Sequence, residues 1–536
     1  MNIGARLKKR KRTSGNQHHQ AAENEESSAT QSGAVATAAM WAALLWTVIA
    51  TAGSLTAPVQ GAPQEGRTVI RGALVVDGSG QDPRRVDVAF EQGRITSVGE
   101  VEPREGDRVL QVEGKVLAPG FIDLHSHSRR GLLEDPEAPT QVSQGITTLI
   151  VGPDGSSPFP LSDYRAQLRE AGMSVNVGLL VGHGTLRSLV MGGNFRRPAT
   201  AEETAAMTAL VRLAMRQGAL GLSSGLEYDP GFYSETEELV SLAREAAAHG
   251  GIYMSHIRDE EEDSAEAIQE AIEIGRRTGA PVQISHIKMG NKNVWGRSGQ
   301  ALELIDQAVQ SGVDVAADCY PYNAWASGLA ILVPSRQFDD PAEVEAGIER
   351  VGGASNVLIT RYQEEPSYEF KSLEEIARSH GVSPVELYIE MMKNGGAGIV
   401  GRSMQQDDVD AFYRHPRVMV ASDGGTDSRH PRMSGTFPRV LGRFVRQRGL
   451  LTLQEAVRKM TSLPASRLGL SQRGRIAAGY YADLVLFDRH EVLDRSDFQN
   501  PTVLSQGIEE VWVNGVAVWR DGEALPARPG QLLTRP

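Results

Sequence analysis

The chain has 536 residues, 40% of them hydrophobic, and a formal net charge of −12. That length exceeds one small core and predicts about two to four folding units. The acidic balance, with no large basic stretch in the body, argues against a nucleic-acid partner. Cys319 is the one cysteine, which excludes an intrachain disulfide and a CxxC-type zinc site.

The first segment differs from the rest. Residues 1–33 form a polar leader with a basic "LKKRKR" cluster, and residues 34–53 run without a charge. Such a run is long enough to span a bilayer or to form the apolar region of a secretory signal. Small residues follow it near Gly61 and Ala62. Residues 34–62 are therefore expected to be a signal peptide or membrane anchor that engages the membrane or the export machinery. The protein is expected to be exported or tethered, with Met40 an alternative start.

From residue 67 to 99, β-forming residues alternate with Asp-Gly, Gly-Ser-Gly and Gln-Gly turns, which predicts antiparallel strands. Residues 475–520 repeat that style and add an Asn-Gly hairpin signal. Residues 67–116 and 470–525 are expected to form one small β-sandwich built from both ends of the chain.

Over residues 117–469, short apolar runs such as "TTLIVG", "GIYMSHI", "PVQISHI" and "RVMVASDG" alternate with helical patterns. This rhythm implies parallel strands buried on both faces. The number of units favours a closed (β/α)8 barrel over an open sheet, and no GxGxxG or GxxxxGK[ST] follows an early strand. About ninety residues separate "YPYNAWASG" from "RVMVASDG", more than one strand–helix unit needs. Much of 334–404 is expected to be an inserted subdomain over the barrel mouth.

Imidazoles and one carboxylate close these runs. His125 and His127 follow "VLAPGFIDL", His183 follows "VNVGLLVG", His256 follows "GIYMS", His286 follows "PVQIS" and Asp423 follows "VMVAS". Residues i and i+2 of a strand share a face, and the C-terminal ends of barrel strands converge on one catalytic face. Neutral imidazoles and carboxylates bind zinc-like ions, and a catalytic site leaves a position for water, whose pKa falls toward ~7. Asp423 can take that water's proton and return it to a leaving amine. The chemistry suits hydrolysis of an amide or cyclic amide.

"PGFIDLHSHS", the isolated histidines and the late "ASDG" resemble the amidohydrolase superfamily. "QGITTLIVGPDG", "GLSSGLEYDPGFYSETEELV", "YMSHIRDE", "DCYPYNA" and "HPRMSGTFPRVL" resemble, more specifically, the N-acyl-D-amino-acid deacylases, over roughly residues 67–520. The resemblance implies a metal-bearing barrel with a composite β-sandwich, hydrolysing N-acyl-D-amino acids to a carboxylate and a D-amino acid. It implies Zn2+, with one tight site at His256 and His286 and a second, weaker position among His125, His127 and Asp423. It also implies a small-molecule substrate whose free carboxylate meets Lys288, Arg432 and a tyrosine, Tyr320 or Tyr322. A guanidinium offers a planar fork to a carboxylate and an ammonium adds a point charge.

One departure stands out. The family commonly carries "VGNCG", whose cysteine is a metal ligand, whereas this chain has "VGPDG" and places Asp154 there. A carboxylate is a harder ligand and less selective for zinc; Asp154 can equally serve as the turn residue of an Asp-Gly pair. Two other enzyme readings on this scaffold are a dipeptidase and a cyclic-amide hydrolase. A non-catalytic assembly barrel would show eroded ligands. Lys288 and Arg432 favour a substrate with a free carboxylate, which a dipeptide offers and a simple hydantoin does not.

Overall fold

The computed structural model describes residues 66–535, so the expected leader and anchor, residues 1–62, lie outside the described residues. Among those described, no helix is long and apolar enough to cross a membrane.

Eight strands form the central sheet: β1 Phe121–Ser126, β2 Ile146–Val151, β3 Asn176–Leu179, β4 Gly221–Gly225, β5 Ile252–His256, β6 Val282–Ile284, β7 Val315–Cys319 and β8 Val418–Val420. Neighbours pair in parallel, with Val181–Gly182 carrying the β3 side onto β4. A parallel bridge between Ser126 and Gly424 returns β8 to β1 and closes the ring.

These strands read as apolar runs because both faces are covered. Ile252 and Met254 of β5 pack with Ile122, Leu124 and Ile150 in one buried cluster. Tyr253, between them, belongs instead to the cluster that includes Leu239 and Ile268 of the surrounding helices. That alternation is the period of a strand with a filled barrel on one side and helices on the other. The helices are punctuated by their own sequence. Ala201–Arg216 starts with a Thr200/Glu203 capping box, which satisfies two exposed donors reciprocally. Ser264–Thr278 stops at Gly279 in the left-handed region, after Arg276 and Arg277 in its last turn.

Two further sheets lie at the ends of the chain. Val116–Pro119 pairs antiparallel with Leu484–Phe487, joining the N-terminal and C-terminal segments in one sheet. Ile70, Val88 and Phe90 of the four-stranded sheet pack against Leu117, Leu484 and Trp512 of the seven-stranded one. A third sheet, antiparallel and three-stranded, comprises Trp325–Gly328, Val357–Arg361 and Gly398–Gly401. It corrects the expected start of the insertion at 334, because its first strand begins at Trp325. That strand, "WASG", has small residues and no apolar alternation, so it gave no signal of its own.

Candidate metal centre

Four side chains, from the ends of β1, β2, β6 and β8, meet at the C-terminal face of the ring. His125, Asp154, His286 and Asp423 bring one ligand atom each within 4.8 Å of one another. His125 Nε2 lies 3.2 Å from Asp154 Oδ2 and 3.4 Å from Asp423 Oδ1. His127 Nε2 lies 3.2 Å and 3.1 Å from the same two oxygens. His286 Nε2 lies 3.5 Å from Asp154 Oδ2 and 2.9 Å from His256 Nδ1.

The backbone holds these groups in place locally. Ser422 N–H and hydroxyl donate to the Asp123 carboxylate, and the Asp423 N–H donates to the His125 carbonyl, stitching the end of β8 onto β1. Asp154, His286 and Asp423 all have positive φ, of 50°, 31° and 48°. Three non-glycine residues in that region at one site indicate backbone strain held by the surrounding structure. Gly155 follows with φ 72°, and a Cβ there would meet the Gly225 nitrogen at 2.8 Å, so only glycine lets the Asp154 loop approach β4.

The donor set fits a metal ion. Nitrogen and oxygen ligands about 2.0–2.2 Å from a tetrahedral zinc stand about 3.3–3.6 Å apart. Of the six cluster distances, two fall within that spacing and two more lie just below it. Asp154 Oδ1 is buried without a hydrogen-bond partner. The electrostatics point the same way. Burial works to lower the His125 pKa, yet Asp154 and Asp423 carry it well above its ordinary value. Burial works to raise the Asp154 pKa, yet His125 and His286 hold it well below the usual carboxylate range. The cluster is one that draws positive charge.

Sequence reasoning missed the groups that orient these imidazoles. His256 Nε2 faces Glu227 at 2.8 Å, His286 Nδ1 faces Glu260 at 3.0 Å, and His125 Nδ1 lies 3.5 Å from Asp318. A carboxylate behind a ligand imidazole fixes its tautomer and raises its basicity. Asp318 also accepts the His286 N–H at 2.8 Å. Glu260 stands four residues after His256, and Asp318 lies two residues before Tyr320 in "DCY"; proximity to predicted site residues was the one available signal.

The expected substrate groups separate. Arg432 Nη1 lies 2.7 Å from Asp423 Oδ2, and its buried Nε makes no hydrogen bond. Its guanidinium covers the Tyr320 ring at 4.7 Å. Lys288 Nζ lies 2.6 Å from both oxygens of Glu260. Tyr320, Lys288 and Arg432 line a cavity of about 700 Å³ together with Asp154, His256 and Asp423. Tyr322 does not line it, a correction to its expected place at the substrate: its hydroxyl donates to the Pro431 carbonyl at 3.2 Å. There it braces the segment before Arg432, whose N–H donates to His430 Nδ1 at 3.0 Å. His183 also lies outside the cluster. It opens the helix His183–Met191 and meets the buried Glu238 at 2.7 Å.

Fold and cluster together define a (β/α)8 hydrolase barrel built to hold metal. The chain belongs to the amidohydrolase family, whose model matches residues 108–519. It is 37% identical to D-aminoacylase of Alcaligenes xylosoxydans xylosoxydans, over 87% of this chain and 97% of that protein. It is 39% identical to N-acyl-D-glutamate deacylase of the same organism, over 87% and 96%. The crystal structure of D-aminoacylase superposes with a TM-score of 0.79 at 37% identity, covering 87% of this chain and 99% of that one. The N-acyl-D-glutamate deacylase of Bordetella bronchiseptica, solved with zinc and a phosphonate mimic of the tetrahedral intermediate, gives 0.80 at 36%, over 87% and 99%.

Proposed function

We propose that the protein hydrolyses the amide bond of N-acyl-D-amino acids, releasing a carboxylate and the free D-amino acid. The observation that carries this reading is the histidine–carboxylate cluster beside Arg432, a buried cation with an uncommitted donor. His256, His286 and Asp154 would hold the tight zinc, and His125, His127 and Asp423 the weaker position. Zinc there supplies Lewis acidity, polarising the scissile carbonyl and acidifying water.

The protein's own groups divide the remaining work. Arg432 engages Oδ2 of Asp423, which leaves Oδ1 facing the cluster as the basic oxygen. Asp423 takes a proton from the attacking water at Oδ1 and delivers it to the leaving nitrogen. The Arg432 Nε–H and the Tyr320 hydroxyl meet the substrate carboxylate. Lys288 Nζ, already 2.6 Å from both Glu260 oxygens and 2.8 Å from His286 Nδ1, adds its positive charge to the end of the cavity that takes this anion. Export or tethering through residues 34–53 belongs to this proposal and is supported by the uncharged run alone.

Arg432→Ala should lower kcat/KM by roughly 30-fold or more, because truncating one member of a buried charge-assisted pair costs about 2–5 kcal/mol. Substrates whose carboxylate is amidated should lose far less. Equal losses on acid and amide substrates would remove Arg432 from substrate anchoring.

Asp154 is tested by metal titration. Asp154→Ala should weaken zinc binding, and Asp154→Cys should restore it while shifting preference toward zinc over manganese, since thiolate is the softer ligand. Asp154→Asn keeps the turn chemistry; unchanged zinc affinity in that variant would place Asp154 outside the coordination shell.

A further inference from the structure

Beside the site lies a second cavity that the reaction described above does not use. It encloses about 540 Å³, within the range of small-molecule pockets. Tyr228, Asp229, Ser327 and Ile331 line both cavities, so the two adjoin across a shared wall. Tyr233 and Phe338 line the second cavity only. Its one carboxylate stands between two guanidiniums, with Arg336 3.3 Å and Arg196 3.8 Å from Asp229, which leaves one positive charge over. Arg336 also donates to the Glu227 carbonyl at 2.8 Å and lies over the Phe232 ring at 4.6 Å. Apart from that excess cation, what this pocket offers a ligand is the aromatic and aliphatic surface of Tyr228, Tyr233, Ala330, Ile331 and Phe338.

The order of strands in the ring decides which end of a substrate faces it. Arg432 follows β8 and Tyr320 follows β7, whereas Tyr228 follows β4, opposite β8 in a ring of eight. The Tyr228 ring lies 4.4 Å from the His256 ring, so the shared wall begins at the cluster itself. A substrate with its carboxylate on Arg432 and its amide carbon over the cluster must send the acyl chain toward β4. The amino-acid side chain branches from the carbon that bears the carboxylate, and it stays on the Arg432 half.

We propose that the second cavity is an acyl subsite, and that the preferred substrates are D-amino acids carrying medium-chain aliphatic or aromatic acyl groups rather than acetyl. This rests on the hydrolytic reading given under Proposed function. Each added methylene buried there favours binding by several-fold.

The test compares kcat/KM of the zinc-loaded full chain on N-acetyl, N-octanoyl and N-benzoyl derivatives of one D-amino acid. It adds Ala330→Leu and Ala330→Trp, since Ala330 lines the second cavity and not the first. The octanoyl-to-acetyl ratio should be at least about 10 in the unaltered protein. It should drop about ten-fold in Ala330→Trp and by less in Ala330→Leu. A ratio at or below one, or a ratio unmoved by both substitutions, would overturn the subsite and leave the hydrolytic reading standing. Variants that discriminate among amino-acid side chains at constant acyl length would overturn it too, placing the side chain in this cavity. Failure to turn over any acyl length would overturn both.

Discussion

His286→Ala should lose bound zinc and activity together. His286 Nε2 is the junction of the centre, 2.9 Å from His256 Nδ1 and 3.5 Å from Asp154 Oδ2. It belongs to both groups of residues able to hold an ion. Removing even an outer-shell partner of a metal ligand typically weakens metal binding by about 10–100-fold, so loss of the ligand itself should exceed about 100-fold. Glu260→Gln, which keeps the His286 ring and alters the carboxylate that it shares with Lys288, should stay within that 10–100-fold range. Metal analysis on both variants, with thermal unfolding as the control for folding, measures the difference. Full zinc stoichiometry in His286→Ala would sink the assignment.

Asp423→Asn should retain most of the metal and lose kcat by a factor on the order of 10²–10⁴, the usual contribution of general acid–base catalysis. In the proposed assignment the tight site still has His256, His286 and Asp154. The asparagine keeps the shape and the contact with Arg432 but cannot accept a proton at Oδ1. In the folded protein burial works against the Asp423 charge, yet Arg432, His286 and His125 hold its pKa well below the usual carboxylate range. The group is therefore ionised across the working pH. An undiminished kcat in Asp423→Asn, at unchanged metal content, would take this residue out of the mechanism.

The parts of the molecule that were legible in the sequence share a physical cause. A barrel strand is buried on both faces, so "GIYMS" and "VMVAS" read as apolar runs, and any imidazole or carboxylate closing such a run is conspicuous. With 12 histidines in 536 residues, the ordered series could be followed along the chain. His183 shows the limit of that signal. It closes a run like the others, but the chain turns into a helix at that residue and the ring enters the outer layer against Glu238.

Glu227, Glu260 and Asp318 were not legible, because they stand among 67 acidic residues and their role depends on which imidazole nitrogen they face. Tyr320 and Tyr322 illustrate the same gap. Both follow β7, and only the path of the loop decides that one meets the cavity while the other braces Pro431. Asp154 offered a turn reading and a ligand reading. Its backbone is left-handed and its side chain lies in the cluster, so the turn is compatible with the proposed ligand role.

The most direct measurement is amine release from paired N-acyl-D- and N-acyl-L-amino acids, run on the protein as purified, after chelation, and after zinc is returned. Release from the D isomers alone, lost with the metal and restored by zinc, is the expected result. Equal rates on both isomers, or activity that persists once the metal has been removed, would contradict it.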